Sequence, residues 1–256
     1  MKIASSSASF DRRLQAGELT QLEWLDICAR EFALDGVVFD LRHFPRTDDD
    51  YLAQLKKLCV DLGMTIAAVC AGNIAAARGG VGIAVRLGAP LLLSRAPQKS
   101  DEASAWNRLA DAARTLAAAG KEANVTIAVR NLPGTLCEGA ADLKRLAKDT
   151  DSAWLRYALD AAKLPANEAP ENVLARTVIA CHDVGALRTG SERDEVIGLA
   201  AHLREFRGFL VVDRVTEDAT PADLESAIRT LRACVAEAAL EEAARDADRT
   251  GRLRAG

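Results

Sequence analysis

The chain has 256 residues, of which 49% are hydrophobic and 27% charged, a globular composition that excludes a disordered chain, which lacks the apolar fraction needed to offset ordering entropy. Lys and Arg number 33 against 37 Asp and Glu, a formal net charge of −4, so no global attraction to a phosphate backbone exists and no nucleic-acid partner is expected. The N-terminus, MKIASSSASFDRR, has small hydroxyl residues where a signal peptide carries an apolar run, and no later stretch reaches the length of a membrane span, so a cytoplasmic protein without a membrane partner is expected.

Short β-rich runs alternate with longer amphipathic segments, the pattern of parallel strands joined by helical crossovers. The first strand is read at 2–8, followed by a helix at 22–34 with Thr20 as its cap and Glu23 three residues on. A strand at 36–43 leads to a helix at 48–62, closed by Gly63. The third strand is 64–71, and its crossover, 73–88, holds Gly79, Gly80 and Gly82, which makes it the weakest or most irregular one. A strand at 90–96 and an alanine-rich helix at 100–122 follow, then a strand at 125–131 and a helix at 139–148. The sixth strand is 154–160. The stretch 165–176, with two prolines, is a short helix or loop. The seventh strand is 177–183 with its helix at 191–206, and the eighth is 208–215. Thr220, Pro221 and Asp223 open the last helix with a cap, a first-turn proline and an acid at the positive helix end. From about Glu241 the sequence becomes charged, a helix end and tail (241–256) that frays.

Eight such repeats give an α/β fold, a single (β/α)8 barrel domain over 1–240 with an irregular third crossover. A doubly wound sheet is disfavoured, because Gly80-Val-Gly82 lacks a third glycine and does not directly follow a strand. No P-loop, GxSxG elbow or HExxH occurs. The cysteines, at 28, 59, 70, 137, 181 and 234, form no CxxC pair and read as buried free thiols.

In a parallel barrel the chemistry sits at the carboxyl ends of the strands. Those ends carry Arg42 and His43, Cys70 and Asn73, Arg95, Arg130 and Asn131, Asp160, His182 and Asp183, and Asp213 and Arg214. Asp160, His182 and Asp213 are the sharpest subset, since two carboxylates and an imidazole from separate strands suit one divalent cation. The alternative stays open that each acid caps the next helix and that His182 is a hydrogen-bonded barrel histidine. Arg42, Arg95, Arg130, Arg188 and Arg214, if convergent, form a cationic rim for a phosphate or carboxylate; a solvated face of paired arginines is the other reading. His43 is read as a substrate contact or a structural loop histidine, and His202 as a surface residue.

The ordered series EWLDICAREFALDGVVFD, YLAQLKKLCVDLGMTIAAV, VTIAVRN, LRYALD, VIACHD and FLVVD, behind the opening MKIASSSASF, resembles the xylose-isomerase-like TIM-barrel superfamily of sugar and sugar-phosphate isomerases and epimerases. The resemblance covers nearly the whole chain. It implies a homo-oligomer with a divalent metal (Mn, Mg, Co or Zn) held by Glu, Asp, His and Glu at the ends of strands five to eight. The strand-six and strand-seven positions fall on Asp160 and His182. The strand-five position falls on Arg130 and the strand-eight position on Asp213. A guanidinium neither ligates metal nor acts as a base, so the expectation is that Arg130 pairs with Asp160 or Asp213 in the metal's place, leaving no cofactor.

Two functions are therefore weighed. In one the chain is a sugar (phosphate) isomerase or epimerase, with Asp213 as ligand or base, Arg130 clamping an oxyanion, and His43, Arg42, Asn73, Arg95, Asn131, Arg188 and Arg214 around the substrate. In the other it is a metal-free barrel that binds a small molecule or partner without catalysis.

Overall fold

A computed structural model describes residues 2–184, 187, 208–213 and 220–255. Eight parallel strands close into a barrel in sequence order: β1 (Lys2–Ser6), β2 (Gly36–Asp40), β3 (Thr65–Asn73), β4 (Leu91–Arg95), β5 (Thr126–Arg130), β6 (Leu155–Leu159), β7 (Thr177–Asp183) and β8 (Phe209–Asp213). The ring is sealed by parallel pairing of β1 with β8, Lys2 opposite Phe209 through Ser5 opposite Val212.

Local chemistry sets where these elements stop. The run of serines at the end of β1 turns the chain into a 3-10 turn, Ser7–Phe10, where the Ala8 amide donates to the Ser6 hydroxyl at 3.2 Å. β2 likewise ends at Asp40, whose carboxylate accepts the Arg42 amide and starts the 3-10 turn Leu41–His43. The helix Gln21–Arg30 begins with the expected capping box. There Thr20 Oγ1 accepts the Glu23 amide at 3.2 Å, and the Glu23 carboxylate accepts the Thr20 amide at 2.8 Å. Thr220 and Asp223 repeat this arrangement before the helix Pro221–Ala255.

Two differences from the sequence reading have physical causes. The third crossover is a 3-10 turn, Ile74–Ala76, plus a helix, Arg78–Leu87, that runs unbroken through all three glycines. At Gly80 a Cβ would come within 2.9 Å of the Ala71 Cβ, so close packing on the sheet requires the glycine. The β6–β7 crossover, as the sequence reading has it, is short turns: it contains no α-helix among the described residues, only 3-10 turns at Ala161–Lys163, Pro170–Asn172 and Leu174–Arg176, and Pro165 and Pro170 interrupt any longer helix there. The C-terminal helix extends past Glu241 to Ala255, further than the helix end read from sequence, in keeping with its Ala, Glu and Arg content.

Strand alternation divides the core in two. Ala4, Val38, Ala67, Ala68, Leu93, Ala128, Ala158, Ile179, Phe209 and Val211 fill the barrel. A larger layer, including Trp24, Phe39, Leu52, Leu92, Leu116 and Leu143, lies between strands and helices. The inner set is small apart from a few plugs, of which Phe209 sits so near Gly36 that a Cβ there would lie 2.8 Å from its ring. Among the described residues, no helix is long and apolar enough to cross a membrane.

Candidate functional site

Residues two positions beyond the inner core residues face the same way, so the inner face of each strand can be followed up to the mouth. From Val38, Leu93, Ala128 and Ala158 this leads to Asp40, Arg95, Arg130 and Asp160; from Ile179 to Cys181 and Asp183; and from Val211 to Asp213. The pairing agrees: Arg95 lies opposite Arg130, Cys181 opposite Val211 and Asp183 opposite Asp213.

Arg130 is the centre of the mouth. Its Nη1 pairs with Asp213 Oδ2, and its Nη2 donates to Asp160 Oδ2 at 2.9 Å. Lys163, on the turn after β6, places its Nζ 2.9 Å from that same Asp160 oxygen. The Asp160 side chain is fully buried, while those of Asp213, Arg130 and Lys163 are 11%, 15% and 17% exposed. Burial opposes the charge on Arg130, but the Cys181 sulfur and the Asp213 and Asp160 carboxylates outweigh it and hold its pKa well above the ordinary value.

Asn131 fixes the height of Asp160. Fully buried, it accepts the Asp160 amide at 2.7 Å and donates to the Asp160 carbonyl at 2.9 Å. Its amide is thus committed to backbone and positions the carboxylate.

Hydrogen bonding around the cluster is incomplete. Among the described residues, Arg130 Nε, Asp160 Oδ1 and Lys163 Nζ are buried and lack hydrogen-bond partners; the Lys163 ammonium is at ion-pair distance from Asp160 but outside hydrogen-bond geometry. Each such atom costs about 1–3 kcal/mol if left unmet, and three around one point call for a functional explanation.

A second group lies above β1 and β2. His43 Nδ1 is 2.8 Å from Ser7 Oγ and its Nε2 is 2.7 Å from Asp11 Oδ1. Arg42 donates from Nε and Nη2 to a single Asp40 oxygen, Oδ2, at 3.1 and 2.9 Å, and reaches Asp11 at 3.4 Å. The polar groups of both predicted contacts are therefore largely engaged within the protein. Cys70, on the inner face of β3 opposite Asp40 in the β2–β3 pairing, has its thiol pushed up to about 12, chiefly by burial and also by Asp40 and Asp213, with Arg130 opposing.

The remaining predicted residues divide plainly. Arg95 is exposed, beside Asn73 and Arg130 in the ladder, and makes no ion pair among the described residues. Asn73 spends its side chain on the Ala75 amide at 3.0 Å. His182 lies on the opposite face of β7 from Cys181; burial pushes its pKa down to about 4, with Asp160 opposing and Arg130 adding to the fall. Arg188, Arg214, His202 and the helix expected at 191–206 lie outside the described residues. Lys163, Asp40, Asp11 and Cys181 were not singled out from sequence. Counting by two from Val38 and Ile179 reaches Asp40 and Cys181, whereas Lys163 has only its position three residues after Asp160 as a signal.

This donor set does not fit a divalent cation. Arg130 and Lys163 put two positive groups on Asp160, β7 turns a thiol and Asp183 inward instead of His182, and no three His, Cys, Asp or Glu side chains converge as ligands among the described residues.

Comparison with known proteins adds the context of the fold. The profile of a family described as xylose isomerase-like TIM barrel matches residues 28–234. No curated protein matches the chain by sequence. Similar solved structures include a 3-keto-D-glucoside 4-epimerase from E. coli, at 14% identity and TM-score 0.74, covering 91% of this chain and 100% of that one. A D-psicose 3-epimerase from Clostridium cellulolyticum H10, solved with D-tagatose, has 14% identity and TM-score 0.74 over 94% and 99% of the two chains. A probable 3-DHS dehydratase from Bacillus anthracis has 12% identity and TM-score 0.73 over 91% and 99%.

Proposed function

Since the chain belongs to the xylose isomerase-like TIM barrel family, we propose that it is an isomerase- or epimerase-like barrel that takes a sugar or sugar phosphate at its carboxyl-end mouth, without a divalent metal. The observation that carries this reading is the placement of Arg130 between Asp160 and Asp213. A guanidinium held by two carboxylates is a fixed cation that can face a developing oxyanion, the electrostatic part of a metal's task, and it needs no reorganisation. The carboxylates are the groups available to accept and return a proton at a carbon next to a carbonyl. Arg95, exposed and beside Asn73, supplies an uncommitted charge for a phosphate.

The test is metal content and thermal stability after purification with manganese, magnesium, cobalt or zinc, together with ligand-induced melting shifts on a panel of sugars and sugar phosphates. Sub-stoichiometric metal, melting independent of metal, and stabilisation by a sugar are expected. Stoichiometric metal that disappears in Asp160→Ala would overturn the metal-free reading. Absence of any sugar-dependent shift would overturn the ligand class.

A further inference from the structure

We propose that Lys163 is a carbonyl-reactive amine that forms an iminium with a ketose or aldose bound in the mouth. The inference rests on the proposed sugar site and goes beyond it by assigning a covalent step.

Three observations converge on Lys163. Its Nζ is buried, at ion-pair distance from Asp160 Oδ2, yet without a hydrogen-bond partner among the described residues. That carboxylate oxygen is already engaged by Arg130 Nη2, while the other, Asp160 Oδ1, is buried and unpartnered. Desolvation and a neighbouring cation favour lysine as a nucleophile; here the Nζ is buried and shares Asp160 Oδ2 with Arg130, and that carboxylate, at 2.9 Å, is placed to receive the proton the amine must give up. Chemically, an iminium acidifies the adjacent C–H bond as a metal-bound carbonyl does, so an amine here would activate the carbonyl in the metal-free site proposed above.

The step balances without a co-reactant. The Lys163 ammonium passes a proton to Asp160, and the free amine adds to the carbonyl carbon, forming the C–N bond. The carbonyl oxygen gathers two of the three ammonium protons and leaves as water as the C–O bond breaks. The iminium keeps the third proton and the positive charge.

The experiment uses the full chain with dihydroxyacetone and D-fructose as probes and cyanoborohydride, which delivers hydride to an iminium carbon. Trapping adds the mass of the probe less one oxygen. Peptide mapping should find Lys163 labelled at least about tenfold faster than the exposed Lys57 and Lys99, which serve as internal controls. Lys163→Arg keeps a cation for Asp160, and should melt like the parent while losing the fast label. Labelling of Lys163 no faster than Lys57, with ketose still raising the melting temperature, would overturn the covalent step and leave the sugar site standing. Neither labelling nor a melting shift would overturn both.

Discussion

Arg130 and Asp160 meet across the inner faces of β5 and β6 through a 2.9 Å hydrogen bond from Nη2 to Oδ2, and the carboxylate side of this pair is wholly removed from solvent. A buried ion pair is weak support for stability, because desolvating both charges offsets most of their attraction. Breaking one is costly, since the surviving charge has no water to return to. The pair is better understood as a device of position, holding a cation at the point where the strand ends converge.

Removing Arg130 should therefore destabilise more than its own contacts suggest. Arg130→Met leaves Asp160 and Asp213 facing one another, and should cost about 3–5 kcal/mol in denaturant unfolding. Asp160→Asn with Asp213→Asn in the same chain should restore much of that loss, because the neutral amides need no counter-ion. An additive triple variant would show that the three side chains do not act as one unit.

Charge reversal tests whether the mouth keeps the outline of a metal centre. Arg130→Glu places a third carboxylate between Asp160 and Asp213. In thermal melts with manganese or cobalt the variant should gain stability while the parent does not move. Identical melts with and without metal in the variant would mean that the remaining side chains are no longer aligned.

Arg95 should act on ligand and not on folding. It is exposed and unpaired among the described residues, so Arg95→Ala should leave melting unchanged while weakening a phosphorylated sugar by about tenfold, the loss of one charge-assisted hydrogen bond. The unphosphorylated sugar should bind as before in the same titration calorimetry.

Asn131 should show the opposite profile. Asn131→Leu removes both hydrogen bonds to the Asp160 backbone and should cost about 2–3 kcal/mol in urea unfolding, with the buried amide and carbonyl left unmet.

The buried His182 gives a defined pH dependence. Its folded pKa is about 4, below the usual 6.5, so between these values the unfolded chain binds a proton that the folded chain refuses. Its contribution is complete above pH 6.5 and is lost as the pH falls to about 4, on the order of 3 kcal/mol. His182→Asn should flatten unfolding free energy across that window; an unchanged slope would assign the acid sensitivity to the carboxylates.

Much of the site was readable residue by residue. Arg130, Asp160 and Asp213 were identifiable at strand ends, and the pairing of Arg130 with those acids followed from its fixed charge. Lys163 was not, because a lysine three residues past a strand is ordinarily a solvated turn residue, and only the 3-10 geometry of Ala161–Lys163 brings it back over Asp160. The prolines at 165 and 170 did mark the crossover that the structure builds from 3-10 turns alone.

By itself the sequence determined the order of eight strands, their limits to within a few residues, and the caps at Thr20 and Thr220. Hydrophobic period, turn residues and capping hydroxyls act over a handful of neighbours, so they are legible without a third dimension. Tertiary structure alone decided which side chains enter the mouth. Facing is set by register with the adjacent strands, and an offset of one residue inverts it. Thus Ile179 packing inside the barrel turns Cys181 and Asp183 inward and sends His182 to the other face, and closure of β8 on β1 brings Asp213 to Arg130, 83 residues away in the chain.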